Sequence, residues 1–125
     1  MWVFTLYAAL TMLLLLALSI NISRLRVRHQ VSFGHGDIEA LRRAIRAHAN
    51  LVEHGLPVGL LVLALVLEGA NEGAMLALVL AFLLTRLLHA AGMLAGVRPA
   101  RRSGAGLTYL LELVASLWAL LQIMN

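Results

Sequence analysis

The sequence predicts an all-α protein: one integral membrane domain, residues 1–125, built as a four-helix bundle. Three observations carry this reading. First, 62% of the residues are hydrophobic and the mean hydropathy is +0.90, whereas a soluble domain is about half apolar. Second, the apolar residues gather into four runs, each near the roughly 20 residues needed to cross a hydrocarbon core. Third, the charges fall between the runs. Nine of the ten basic residues lie in or beside the connections between runs one and two and between runs three and four.

The first helix is expected over about 2–23. Met1 to Ile20 carries no charge, and no basic n-region of the kind a secretory signal needs precedes the apolar stretch. The run is therefore expected to stay as a mature helix. It leads into a basic exit holding Arg24, Arg26 and Arg28. Gly34, Gly36 and Asp37 mark a loop, with Asp37 the expected N-cap of the second helix. That helix is expected over 38–67, with Glu39 in its first turn and Pro57 as an internal kink. Glu68 to Gly73 makes a short acidic turn. The third helix is expected over 74–96, with Arg86 and His89 on one face. Residues 97–106 read as a second basic loop, with Arg98, Pro99, Arg101 and Arg102. The fourth helix is expected over 106–124, with Glu112 inside it as either an ion-pair partner for a neighbouring helix or a proton-carrying site. Trp2, Tyr7 and Trp118 suit an outer aromatic belt, and Tyr109 an inner one. By the positive-inside rule the two Arg-rich connections are cytoplasmic and both termini are outside.

Composition excludes several classes. There is no cysteine, hence no disulfide, thiolate metal site or cysteine nucleophile. No His-x-x-x-His or Glu-x-x-His pair suggests a metal. All ten basic residues are arginine, a planar fork suited to carboxylates and phosphates. They flank apolar spans rather than covering a soluble surface, so nucleic acid is not the expected partner; the lipid bilayer is.

The chemistry-bearing stretch opens the second helix. Arg43, Arg46, Asn50 and Glu53 are spaced three, four and three apart, so they share one helix face. They run down into Gly55–Leu67, which carries no charge. Ionisable groups inside a membrane usually face a bundle interior or a ligand cavity. At about 1.5 Å rise per residue, Glu53 lies about 22 Å from the outer turn, and Arg86 and Glu112 each about 20 Å from theirs. Three ionisable groups on three helices thus reach one level. Glu53 could simply neutralise Arg86, could line a ligand site, or could do both.

These stretches resemble the MAPEG family, the membrane-associated proteins of eicosanoid and glutathione metabolism. Arg46-Ala47-His48-Ala49-Asn50-Leu51-Val52-Glu53, followed by Pro57, is the most specific piece. Arg86-Leu87-Leu88-His89 resembles the family's Arg-x-x-His, Arg24-Leu25-Arg26 its first-helix exit, and Arg98-Pro99-Ala100-Arg101-Arg102-Ser103 the basic segment before its last helix. The resemblance implies a MAPEG-like homotrimer binding glutathione between subunits. Arg46, His48, Asn50 and Glu53, with Arg86 and His89, would line the pocket, Glu53 receiving the glutathione amino group. Arg24 or Arg26 would meet a glutathione carboxylate. Arg102, with Ser103, would lie beside the thiol and favour the thiolate. The implied activity is glutathione transferase or peroxidase chemistry on a lipophilic small molecule. Where the family has tyrosines this chain has His54 and Met93, which favours a second reading: a non-catalytic lipid-binding scaffold of the same fold. A proton-coupled transporter using Glu53 or Glu112 ranks lower, because transporter sites sit nearer the midplane on broken helices.

Overall fold

A computed structural model describes residues Met1 to Met124; Asn125, at the expected outer C-terminus, lies outside them. Four helices follow in order: α1 Trp2–His29, α2 Glu39–Leu67, α3 Glu72–Ala95 and α4 Arg98–Gln122. All four are long and apolar enough to cross a membrane. The all-α, four-helix membrane architecture is as expected, and the chain is a multi-pass membrane protein.

The ends of the bundle are tied separately. At one end Trp2 Nε1 donates to Glu72 Oε2 at 2.9 Å, and Gln122 Nε2 donates to the Glu68 carbonyl at 3.3 Å. At the other end the start of α2 meets the α3–α4 turn, with Glu39 and Arg43 facing Gly96 and Arg98 across a small cleft. Helices α2 and α3 form the centre. α1 packs on α2 and α3, α4 packs on α3 and α2, and α1 and α4 do not meet. The main apolar core joins Val3, Tyr7, Val58, Val62, Phe82 and Ala115.

Several boundaries differ from the sequence reading. α1 runs through the basic exit to His29, because Leu25 and Arg26 still find cover and Gln30 closes the helix in the left-handed region (φ 55°). Asp37 does not cap α2: its own φ is +57°, and Ile38 takes the N-cap position without a side-chain bond. Glu39 stabilises the first turn by pairing with Arg42 and, at 2.7 Å, with Arg43. α3 begins two residues early because Asn71 Oδ1 accepts from the Ala74 amide at 2.9 Å.

The largest correction concerns 97–106, which is helix rather than loop. Pro99 sits in the first turn of α4, where a missing N–H costs nothing. Gly104 is a packing residue: a Cβ there would come within 2.7 Å of the His89 backbone. Gly92 plays the reciprocal part, its absent Cβ leaving room for the Ala100–Arg101 backbone. Glycine at such positions lets two membrane helices approach closely. Tyr7 is likewise not a belt residue. It is buried between α1 and α2, where its hydroxyl donates to the Gly55 carbonyl at 2.5 Å and its ring lies over Gly59.

Candidate functional site

The site grows from Arg86, which is only 1% exposed. A guanidinium buried at membrane depth must have its donors met. Nη1 donates to Thr108 Oγ1 at 3.1 Å, and Nη2 donates to Asn50 Oδ1 at 2.5 Å. Thr108 in turn donates to the Gly104 carbonyl at 2.7 Å, with the Thr85 hydroxyl 3.3 Å away. One arginine on α3 therefore binds α2 and α4 at a single level. Nε has no partner among the described residues.

Asn50 passes this constraint outward. Because its Oδ1 accepts from Arg86, its Nδ2 is turned the other way, 3.5 Å from Glu53 Oε2. Glu53 Oε1 also lies 3.7 Å from Arg46 Nη1. Arg46 and Glu53 are 57% and 52% exposed, so this pair stands on the outer face of α2. The Glu53–Arg86 pair, one of the readings the sequence left open, does not form. Asn50 stands between them, and no carboxylate lies within ion-pair distance of Arg86 among the described residues. Glu112 is indeed an interhelical partner, but for His54, whose Nδ1 lies 2.6 Å from Glu112 Oε1. The His54 ring also packs against Tyr109 at 5.7 Å.

The remaining predicted residues separate. His89 Nδ1 donates to the Arg101 carbonyl at 3.0 Å, so His89 is buried and seats the first turn of α4. His48 is half-buried on α2 and hydrogen-bonds to no described residue. Arg102 and Ser103 are exposed in the second turn of α4. Arg24 is exposed near the end of α1, and Arg26 Nη1 donates to the Ser32 carbonyl at 3.2 Å. Within one chain, then, Arg46, Asn50, Glu53 and Arg86 are brought together. Arg24, Arg26, Arg102 and Ser103 make no bond to that group.

Sequence reasoning missed Thr108 and Thr85, since a threonine in an apolar run gives no signal of its own. It also missed His54 as the partner of Glu112. Their common level in the slab was the available clue.

Chemically, the arrangement offers one anchored and one open half. The buried half holds the Asn50 amide in a fixed orientation. The open half presents a cation, an amide donor and a carboxylate along about 11 Å of helix, taking 1.5 Å per residue. These three groups form a strip whose chemistry can pair with separated amino and carboxylate groups. An apolar groove of about 330 Å³ runs beside it between α1 and α2, lined by Tyr7, Thr11, Leu15, Val52, Leu56 and Leu60 among others.

Comparison with known proteins agrees with this layout. The chain is 36% identical over 117 residues to "Inner membrane protein YecN" of Escherichia coli (strain K12), covering 90% of this chain and 88% of that one. The protein of the same name from Escherichia coli O6:H1 matches equally. The MAPEG family model matches residues 4–122, which takes in all but the first two residues of the four helices and every residue of the polar layer. With nearly the whole chain covered and the Arg46–Asn50–Glu53 strip and Arg86 in place, this protein is a member of the MAPEG family.

Proposed function

We propose that the protein is a glutathione-dependent transferase or peroxidase-like enzyme of a bacterial inner membrane, acting on lipophilic electrophiles or hydroperoxides at a site shared between subunits of a homotrimer. One observation carries this reading: the Arg46–Glu53 pair stands open on α2 among exposed Val52, Leu56 and Leu60. Lipid cannot solvate such a pair, and charges at membrane depth face a protein interior or a ligand. A second copy covering this face would turn the strip into a closed pocket. It would also bring in from a neighbour the residues that one chain leaves apart, Arg24, Arg26, Arg102 and Ser103.

Glutathione suits the strip. Its amino group finds Glu53, a carboxylate finds Arg46, and the peptide finds the fixed Asn50 amide. Arginine beside the sulfur favours the thiolate. The thiolate would displace a leaving group from an electrophilic carbon to give a thioether, or attack a hydroperoxide to give a sulfenic acid and an alcohol. The Arg-rich end of the bundle is cytoplasmic in this reading.

A second reading has its own support. Arg102 and Ser103 point to solvent from one chain, and the groove beside the strip is almost wholly apolar. Both suit a lipid-binding scaffold without catalysis. Calorimetry of glutathione binding in detergent separates the two. Saturable binding, abolished by Arg46→Ala, is the expected result. No binding at millimolar glutathione would leave the scaffold as the better account.

A further inference from the structure

A second polar cavity lies at the Arg-rich end of the bundle and shares no residue with the strip. It measures about 200 Å³ and is lined by Glu39 and Arg43 of α2, Gly92, Met93 and Gly96 at the end of α3, and Arg98 and Arg101 of α4. The lining residues include three arginines and one glutamate, an excess of two positive charges.

The walls of this cavity are fixed. Arg43 Nε is held by Glu39 Oε1 at 2.7 Å, and its guanidinium lies against Gly96, where any Cβ would collide with it. Gly96 also has φ +73°, so the turn itself favours glycine. The Arg101 backbone is pinned twice, by the His89 bond to its carbonyl and by close contact with Gly92. The guanidiniums of Arg98 and Arg101, by contrast, bond to no described residue. Arg98 and Arg101, whose side chains bond to no described residue, thus line the cavity with a third arginine that Glu39 orients.

The level of the cavity decides what can reach it. The apolar run of α3 ends at Leu94 and Ala95, and α2 begins its apolar stretch only beyond Glu53. The cavity therefore opens at headgroup height rather than among acyl chains. Basic pockets between membrane helices at that height suit anionic headgroups, and arginine forks bind phosphate oxygens two at a time.

We infer that this cavity binds a phosphate-bearing anion, with the phosphodiester of an anionic phospholipid as its source. A soluble phosphate compound offers the same oxyanion and is the other possible source. The binding site predicts a ligand bound per chain, independent of glutathione.

The test is native mass spectrometry of the protein released from a neutral detergent, titrated with phosphatidylglycerol, phosphatidylcholine or inorganic phosphate. Arg98→Gln and Arg101→Gln remove one cavity charge each, and Arg101→Gln keeps the backbone carbonyl that His89 needs, so the fold is retained. Arg28→Gln removes one charge at the same end of the bundle but outside the cavity. We expect phosphatidylglycerol to be retained over phosphatidylcholine. The Arg98→Gln/Arg101→Gln double variant should weaken it about tenfold, the loss expected for charge-assisted contacts. Arg28→Gln should change binding less than about twofold, as for an exposed charge. Phosphate binding that needs Arg98 and Arg101, with no preference between the lipids, would support the site and assign a soluble source. Equal weakening by Arg28→Gln and Arg101→Gln would overturn the site in favour of a diffuse surface charge, as would no retention of any probe.

Discussion

Arg86 and Arg46 reach the same Asn50–Glu53 pair, one from α3 and the other from α2 itself, under opposite conditions. Arg86 is sealed among three helices and bonds neutral groups, Asn50 and Thr108. Arg46 is more than half exposed and meets a carboxylate at 3.7 Å, a loose distance. Removing a buried partner strands polar groups that water cannot reach, whereas an exposed pair contributes little to stability. The difference teaches that one arginine ties the bundle together while the other stays open on α2. Both belong to the resemblance that the sequence displays, yet burial divides their roles.

Changes that break this contrast should do so in a definite order. Arg86→Leu leaves Asn50 and Thr108 without their donor, so we expect a loss of about 2–5 kcal/mol, read as a lower unfolding midpoint in detergent. Gly104→Val should come next, at about 1–3 kcal/mol, by pushing α4 off the His89 backbone. Thr108→Val removes only a hydroxyl and keeps the shape; denaturant titration should show about 1–3 kcal/mol lost through the unmet Arg86 donor. Arg46→Ala should shift stability by less than about 1 kcal/mol while abolishing glutathione binding. If Arg46→Ala unfolds the protein as readily as Arg86→Leu, the division of roles is wrong.

Much of this was legible in the sequence, for physical reasons. Apolar runs of bilayer length betray membrane helices whatever their packing, so all four elements were visible. The polar strip was visible because Arg46, Asn50 and Glu53 repeat at helical spacing. The start of α4 was not, since Arg98, Pro99, Gly104 and Gly106 are the residues that usually mark a loop. Proline was tolerated in the first turn, and Gly104 served helix contact rather than chain reversal. The partner of Arg86 was hidden too. Carboxylates announce themselves as counterions, whereas Thr108 and Asn50 satisfy a guanidinium by hydrogen bonds alone. Tyr7 looked like an interface residue because sequence position cannot reveal that Gly55 and Gly59 open a slot for it.

The turn between α3 and α4 is only two residues long, Gly96 and Val97. So short a connection holds the end of α3 beside the start of α4. Arg86, alone on α3, would cost a few kcal/mol to insert, about 2.5–3.5 on translocon scales. With α4 held alongside by this turn, Thr108 meets one of its donors and Asn50 another, so the brevity of one turn lowers the cost of carrying a guanidinium on α3.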